Sequence, residues 1–509
     1  MAIRITGLNS GLDTDSIVRE LVAAERTKQE KYTKAQTKLS WKQDAWKEMN
    51  TKVYDFYSKT LSNMRMAGNF SKKKITVSDE TKAKVTTSNG VVNGTQTLEV
   101  EKLATAGYLT GNKISQLGGG KVTGDTRLFS LGASDGVLSL EVGGQRKSIA
   151  VNAAMTVSEF TKALNDQGIS ATFDENNQRF ILNSTSTGAS NDFNFVVEDS
   201  SSFSLLSNLG LATEENYATV MGSVPEGIDF AVKQDASNAR IKLNGAIYEN
   251  DTNEFSINGL NITAIGVTTG AMSITTSTDV DGIYDMIKGF FKEYNDLLNS
   301  MEAAYNAESS KGYEPLTDDE KDEMSDKEIE KWEQKIKDSI LRRDDTLRSI
   351  MNSLSTKMAQ TFTVNGKSYS LASFGIKTAG YLYAQENETY AYHIDGDEDD
   401  TFSSSNADRL MSMIASDPDA VASFFTQLAN SVYDELNTRM KSTTLSSAYT
   451  VYNDKQMKGE YDDYTKQIKK WEEKLKDMED KYYKQFAEME TALGKLQSQQ
   501  NSFSSLLGY

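Results

Sequence analysis

The last stretch of the chain, from Asn453 to Leu507, repeats apolar residues with a period of seven. No proline interrupts it, so one continuous helix of about 80 Å is predicted from the 1.5 Å rise per residue. A heptad stripe is typical of a coiled coil, and a helix carrying one cannot bury it alone. The stripe has a main column and a second column three places on: Tyr461, Ile468, Leu475, Tyr482, Met489, Leu496 and Phe503, with Tyr464, Trp471 and Met478.

The second column moves by one place near the end of this helix. It continues there as Phe486, Leu493, Gln500 and Leu507. A shift of this kind rotates the apolar stripe around the helix, so the final segment is expected to meet a different neighbour from the rest.

A partner for this helix is predicted at the opposite end of the chain. Asp13 or Thr14 can cap a helix in which Ile17, Val18, Leu21 and Val22 form one apolar face. Residues 25–38 offer almost nothing to bury, and we expect this segment to be mobile unless a partner holds it. The heptad then resumes around Trp46, and the helix is predicted to run to about Gly68.

The two terminal stripes have two possible arrangements. They pair within one chain, or several chains share the coil. The polar break at 25–38 and the rotation of the C-terminal stripe favour the shared coil.

The middle of the chain changes from helical to alternating periodicity and back. Short strands with Asn-Gly turns occupy 73–107 and 228–277, and the insertion between them contains a ββαββ module with a Thr156/Glu159 capping box. Amphipathic helices follow, including one that opens at Ser325 and is expected to continue through Leu354.

The predicted fold class is multidomain α+β, with domains nested in the sequence. Terminal helices form a coiled coil, a mostly helical leg domain lies inside them, and two β-rich head domains lie inside that. The predicted bounds are 1–44 with 450–509 for the coil, 45–72 with 278–449 for the leg, 73–107 with 228–277 for the inner head, and 108–227 for the outer head.

Composition excludes several kinds of chemistry. The chain has no cysteine and a single histidine, so disulfides, thiol catalysis and cysteine zinc sites are excluded. A formal net charge of −18 disfavours a general nucleic-acid binder. No apolar window approaches the length of a membrane span or a secretory signal. We predict no catalytic residue, cofactor or metal.

The acidic run at 395–400, next to His393, supplies the oxygen ligands that suit a calcium ion. Its spacing lacks the glutamate that ends an EF-hand loop. A solvated loop is the favoured interpretation, and no partner for His393 can be identified from the sequence.

Several separated motifs carry a family resemblance. The opening GLNSGLDTDSIVRELVAAE (7–25) resembles the start of the flagellar hook-associated protein 2 family, the filament caps of bacterial flagella. VEKLATAG (100–107) resembles the family's exit from its first β-segment, and 137–183 resembles the hook-IN motif of flagellar axial proteins. Residues 313–344 resemble Gram-positive, clostridia-like members. LASFGI (371–376), DPDAVASFF (417–425) and FAEMETALGKLQSQQ (486–500) complete the match.

The resemblance implies a non-enzymatic homo-oligomer at the distal filament tip, which retains exported flagellin and promotes its folding and insertion. It implies secretion through the flagellar type III export apparatus without a cleaved signal. The implied partners are flagellin, further copies of the chain, hook-filament junction proteins and a cytoplasmic export chaperone. No nucleic acid and no membrane span are implied.

Two sets of residues are predicted to make these contacts. Self-assembly and filament contact by the terminal coils is assigned to Leu8, Leu12, Ile17, Leu21, Trp46, Tyr461, Ile468, Trp471, Leu475 and Met478. Chaperone or filament contact is assigned to Phe486, Met489, Leu493, Leu496, Phe503 and Leu507.

The alternative function is a tip adhesin that binds mucus or host surface glycans through the head domains. Flagellin itself is disfavoured, because the motif at 7–25 is not a flagellin start.

Overall fold

The computed structural model describes residues 11–88 and 91–507, with side chains through Ser504. Leu8 and the side chain of Leu507 therefore lie outside the described part. The chain divides into two compact units. The first contains the residues up to Phe70 and from Val280 onward, and the second is Ser71–Asp279. The predicted class is confirmed: the fold is multidomain α+β with long terminal helices.

The helices lie mainly in the first unit. Their bounds are α1 (Thr14–Asp55), α2 (Ser62–Met64), α3 (Val157–Asp166), α4 (Ser200–Asn208), α5 (Glu214–Met221), α6 (Val280–Asn306), α7 (Asp318–Asp322), α8 (Asp326–Asp338), α9 (Asp345–Met358), α10 (Arg409–Ser416), α11 (Pro418–Arg439) and α12 (Asp454–Leu507).

The strands lie mainly in the second unit. Their bounds are β1 (Lys73–Val77), β2 (Ala83–Thr87), β3 (Gly94–Lys102), β4 (Ala106–Thr110), β5 (Gly136–Val142), β6 (Gln145–Val151), β7 (Ile169–Asp174), β8 (Arg179–Thr187), β9 (Phe193–Val196), β10 (Val232–Gln234), β11 (Ala239–Leu243), β12 (Ala246–Asn250), β13 (Glu254–Ile257), β14 (Leu260–Ala264), β15 (Met272–Thr278), β16 (Phe362–Val364), β17 (Lys367–Tyr369), β18 (Ile376–Thr378) and β19 (Tyr392–Ile394).

Local sequence signals set the helix starts. Asp13 caps α1 by accepting a hydrogen bond from the backbone N–H of Ser16, and Thr14 is the first helical residue. The Thr156/Glu159 capping box opens α3 as predicted. The helix expected from Ser325 through Leu354 is instead two helices, α8 and α9, with a break at 339–344 where Asp344 caps α9.

The first terminal helix is longer than its apolar pattern indicated. α1 runs without a break through residues 25–38. It then widens into one stretch of π-helix, Phe56–Leu61, before α2 ends at Met64, short of the predicted Gly68. Phe56 and Leu61 of this stretch are buried, so the wider turn sits where the helix enters the core.

The core of the first unit forms around aromatic side chains. The second half of α1 packs there with α6, α9, α10 and α11. Tyr57 stacks on Tyr433 with ring centroids 4.3 Å apart, and Phe56 contacts Phe290 at 5.8 Å. Such stacked and tilted pairs stabilise a core beyond the area that they bury.

The second unit contains two β cores. Five strands in the order β1-β15-β3-β11-β12 and three in the order β13-β14-β2 share one core, so strands from both sides of the insertion meet in one sheet. Asn244-Gly245 and Asn258-Gly259 make two of its hairpin turns, with positive φ at all four residues.

The insertion has its own core and two sheets. β5 lies between β6 and β9 in one sheet, whereas the other sheet has the order β10-β4-β8-β7. The predicted ββαββ order is present, but its two hairpins belong to different sheets. The core between them is closed by α3 and α4, through side chains such as Phe160 and Leu206.

Candidate assembly surfaces

α1 and α12 lie antiparallel along each other. Tyr483 donates a hydrogen bond of 2.8 Å to Asp15, and Gln36 donates one of 2.6 Å to Thr465. Trp46, later in α1, stacks on Tyr452, just before α12. Residues further along α1 therefore contact residues earlier in the C-terminal segment. The two ends of the chain form one antiparallel, hairpin-like pair of helices.

The weakly apolar segment of α1 is held by α12 of the same chain. Tyr32 contacts Tyr464 with ring centroids 6.4 Å apart, and Lys28 lies 5.6 Å from the Trp471 ring centroid. Gln36 also donates to the backbone carbonyl of Tyr461 at 3.3 Å. Tyrosines, a cation and an amide therefore take the place of an apolar seam here.

A small apolar cluster closes the outer part of the pair. Val18, Val22 and Leu475 are buried, with Tyr482, Tyr483 and Phe486 packed around them. The predicted face of four residues is wrong in one respect, because Leu21 is 44% exposed. The contacting face instead follows positions 14, 18 and 22, one residue every four, and Ile17 is half-buried at its edge.

Trp46 lies in the core of the first unit. Its side chain is 2% exposed and stacks on Tyr452 with centroids 5.4 Å apart. Beside it, Asn50 accepts from the N–H of Val451 and donates to the carbonyl of Tyr449. Trp46 therefore packs within its own chain, and its role in self-assembly stays a prediction.

The remaining predicted contact residues differ in exposure. Leu475 is buried in the pair, whereas Tyr461, Ile468, Trp471, Met478, Phe486, Met489 and Leu493 are half-buried. Leu12, Leu21, Leu496 and Phe503 are exposed at 44%, 44%, 60% and 69%. The pair of helices thus leaves apolar side chains of both α1 and α12 in solvent.

The acidic segment around α7 and α8 braces α1, which the sequence did not indicate. Lys34 pairs with Glu320 at 2.9 Å, and Lys337 lies 4.8 Å from the ring centroid of Trp41. Glu320 also belongs to the capping box of α7, and the hydrogen bonds from Thr317 and Lys34 lower the pKa of its carboxyl. One side chain therefore both starts α7 and anchors it to α1.

A loop between β18 and β19 carries the most exposed apolar run that the structure describes in the first unit. Tyr381, Leu382 and Tyr383 are 88%, 85% and 75% exposed. Runs of exposed apolar residues are avoided in soluble proteins unless they serve contact with a partner. The apolar run is visible in the sequence as GYLYA (380–384). Because it has neither helical nor strand periodicity, the search for apolar faces did not single it out.

The acidic run at 395–400 is partly buried and ion-paired, so the solvated-loop prediction holds for Glu398 and Asp399 and is wrong for the residues before them. Asp395 and Asp397 are buried. Lys377 pairs with Asp395 at 3.0 Å and Lys288 with Asp397 at 2.6 Å. Burial acts to lower the pKa of Lys288, but its hydrogen bonds to the aspartates outweigh this and raise it.

His393 has a partner within the same cluster. Its Nδ1 lies 2.8 Å from Asp400 Oδ2. Burial acts to raise the pKa of Asp400, but hydrogen bonds from the Phe402 backbone and from His393 lower it overall. Within residues 11–88 and 91–507, no three His, Cys, Asp or Glu side chains are arranged to hold a metal ion.

Comparison with known proteins gives these surfaces a context. The sequence model described as "Flagellar hook-associated protein 2 N-terminus" matches residues 10–107, and the corresponding C-terminal model matches 236–498. The chain is 22% identical to flagellar hook-associated protein 2 of Halalkalibacterium halodurans, over 98% of each chain. It is 25% identical to that of Thermotoga maritima, over 69% of this chain and 52% of the relative.

A solved structure supports the fold. The D1-D2-D3 domains of the flagellar cap protein FliD from Escherichia coli match with a TM-score of 0.50 and 19% identity, over 82% of this chain and 99% of that one. None of the described helices is long and apolar enough to cross a membrane.

Paired terminal helices, a helical core and nested β cores, together with these matches, define a structural protein of the bacterial flagellum. The chain belongs to the flagellar hook-associated protein 2 family, the caps of the flagellar filament. Its place is the extracellular flagellum, which it reaches by flagellar export.

Proposed function

We propose that the chain caps the distal filament tip as a homo-oligomer, holding exported flagellin at the growing end and assisting its folding and insertion. The supporting observation is the pair α1 and α12, which leaves Leu12, Leu21, Leu496 and Phe503 in solvent. Exposed apolar residues at the end of a coiled-coil pair favour contact with other helices.

The weakness of the outer pair supports a contact that rearranges. Val18, Val22 and Leu475 are the buried apolar residues that hold this part, and polar contacts hold the segment before it. Burial of one such side chain stabilises by about 1.5–3 kcal/mol, so the pair is held far less firmly than the core that contains Trp46. Helices held this weakly can repack against a filament end while the core stays folded.

The final segment of α12 is proposed to serve two partners in succession. Residues from Phe486 onward bind a cytoplasmic export chaperone before secretion and the filament end, next to flagellin, afterwards. Leu496 and Phe503 supply accessible apolar area for both. Hook-filament junction proteins are the proposed partners before any flagellin has been added.

The test compares filaments in a strain whose own gene is replaced by variants. Leu496→Ser with Phe503→Ser should give short filaments and flagellin released into the medium, measured by electron microscopy and immunoblotting. Leu117→Ser is the matched control, because Leu117 is 79% exposed in the second unit. Normal filaments with the double variant, at normal secretion of the cap, would contradict the proposal.

An additional adhesin role rests on the outer β core. Phe129 and Val137 are exposed there at 55% and 57%. Serine at both positions should reduce binding of the purified protein to mucin without shortening filaments. Equal mucin binding by the variant and the unaltered chain would argue against adhesion through these residues. Mucin binding by the unaltered chain that is too weak to measure would argue against adhesion altogether.

A further inference from the structure

The segment that joins α6 to α9, residues 307–344, contacts α1 partway along its length and is called the strap below. We propose that the strap is a clamp that sets how far the pair of α1 and α12 can open. Residues 14–31 of α1 can separate from α12, whereas α1 from Lys34 onward stays in place. This inference rests on the proposed function and deepens it, because it identifies where the rearranging part of the pair ends.

The strap and α12 hold α1 on opposite sides. Lys34 pairs with Glu320 at 2.9 Å, and Lys42 pairs with Asp344 at 2.8 Å. Eight residues are a little over two helical turns, so both lysines lie on one side of α1, about 12 Å apart along its axis. Gln36, which bonds to α12, lies about 200° around the helix from Lys34. Between the two lysines α1 therefore has neighbours on two sides.

The outer part of α1 depends on α12 instead. Among the described residues, the hydrogen bonds and ring contacts that 14–31 make outside α1 go to α12, as those of Asp15 and Lys28 do. The buried residues Val18 and Val22 also pack against α12. Separation from α12 removes all of these contacts, whereas the part beyond Lys34 keeps its contacts with the strap.

The strap is anchored independently of α12. The Trp332 indole donates a hydrogen bond of 2.8 Å to the carbonyl of Glu314, and its ring lies 4.5 Å from that of Tyr313. Ile336 and Leu341 are buried, and Leu341 belongs to the core of the first unit. The strap can therefore hold its position, and that of α1, when α12 moves.

Opposite charges draw the strap and α1 together. Residues 26–42 of α1 contain six basic side chains and one acidic one, whereas 314–330 of the strap contain nine acidic and two basic ones. Such complementarity is attractive across a contact and is screened by salt. The stretch of α1 with little to bury thus has a charged neighbour in place of an apolar one, and salt should weaken this contact.

The inner of the two ion pairs is the firmer. The side chain of Asp344 is 10% exposed, and it also caps α9 by accepting from the N–H of Leu347. The side chain of Glu320 is 48% exposed, so solvent screens its attraction to Lys34 more strongly. Separation of the pair should therefore meet increasing resistance from Lys34 to Lys42.

Hydrogen exchange of the full chain tests the clamp. In the unaltered chain, amides of 14–31 should exchange faster than those of 34–42. Lys34→Met combined with Lys42→Met removes both charges, keeps good helix formers and leaves the caps of α7 and α9 intact. Amides of 34–42 should then exchange about three- to tenfold faster, as expected for the loss of two ion pairs, while those of 47–55 keep their protection.

Lys38→Met is the matched control. Lys38 lies between the two lysines, is exposed, and forms no ion pair with any residue that the structure describes. Its replacement removes the same charge and should leave the exchange of 34–42 unchanged. Sodium chloride at about 0.5 M should speed that exchange in the unaltered chain and add little in the double variant.

Three results would overturn the clamp. They are unchanged exchange of 34–42 in the double variant, an equal effect of Lys38→Met, and equal protection of 14–31 and 34–42 in the unaltered chain. Because exchange is measured on the purified chain, any of these can occur while filament length still supports the cap. Normal filaments with the Leu496 and Phe503 variant would instead overturn the cap and leave the exchange step at Lys34 standing.

Discussion

Tyr483 donates a hydrogen bond of 2.8 Å to Asp15, a residue 468 positions earlier in the chain. The contact fixes the alignment of α1 and α12 near the apolar cluster of Val18, Val22 and Leu475. The first prediction concerns this bond. Tyr483→Phe should loosen the outer pair by about 1 kcal/mol, because one hydrogen bond to a carboxylate is lost.

Hydrogen exchange measures this effect. Amides of residues 14–22 should exchange faster in Tyr483→Phe, while those of α11 keep their protection. Asp15→Asn combined with Tyr483→Phe should add little to either change alone, because both remove the same contact. Fully additive effects would show that the two residues act separately.

A second prediction separates core from surface in α1. Trp46→Ala should destabilise the first unit by about 3–5 kcal/mol, because a fully buried indole and its stacking on Tyr452 are lost. Leu21→Ala should change stability by less than about 0.5 kcal/mol, as is usual for exposed positions. Urea unfolding followed by tryptophan fluorescence and circular dichroism compares them, and a similar cost for both would contradict this assignment.

A third prediction concerns Gly188, where the two β cores of the second unit meet. Its φ is +99°, and an added Cβ would lie 2.5–2.8 Å from the Cβ, Cα and carbonyl oxygen of Asp251. Gly188→Ala should therefore cost about 1–3 kcal/mol beyond the backbone strain, because the added methyl group overlaps atoms of Asp251. Gly144→Ala is the control, because φ is +69° there and the space is open. Equal melting temperatures for the two variants would contradict the prediction, because they would show that Asp251 can move away from the added methyl group at little cost.

A fourth prediction concerns the exposed loop. Serine at Tyr381, Leu382 and Tyr383 should leave the melting temperature unchanged, because these side chains are 75–88% exposed. It should reduce capping or self-association, because aromatic residues dominate the energy of protein contacts. Filament length and sedimentation velocity are the measurements, and normal values in both would remove the loop from the assembly surfaces.

A fifth prediction concerns the cluster around His393. The pKa of Asp400 lies below its ordinary value of 3.8, so its stabilisation is present above that pH and is lost as pH falls through the lowered folded pKa. Asp400→Asn should destabilise the first unit by about 1–3 kcal/mol near pH 7. The difference from the unaltered chain should shrink below pH 4, measured by thermal unfolding. A constant difference across that range would mean that the carboxylate charge is unimportant.

Periodic and local signals were readable in the sequence. α12 begins at Asp454 and runs through Leu507, within a residue of the predicted Asn453–Leu507, because one stripe continues without a helix breaker. Capping boxes and the Asn-Gly turns at 244–245 and 258–259 were equally readable, since each depends on a few neighbouring residues. Asn93-Gly94 carries the same signal but joins no hairpin, because β2 and β3 on its two sides lie in different sheets, and 89–90 lie outside the described residues. The domain bounds and the assembly roles of the coil residues stay predictions.

Contacts between residues far apart in the chain could not be predicted from the sequence. Nothing local showed that Lys34 would meet Glu320, or that Asp395 would be buried beside Lys377. Leu21 fits the helical apolar period but faces solvent, because α12 covers the neighbouring stripe of Val18 and Val22. Periodicity in the sequence shows which residues of a helix lie on its apolar face. The position of the packing helix then determines which of those residues are buried.

The antiparallel pairing of α1 with α12 has a consequence for the order of folding. Its contacts join residues more than 400 positions apart, so closing them directly from an unfolded chain would cost a large loop entropy. The core that contains Trp46 and Tyr452 removes most of this cost by bringing the two helices together at their base. The pair can then close progressively from Trp46 toward Asp15. A chain that leaves the export channel with either end missing would fold its core and keep an unpaired helix.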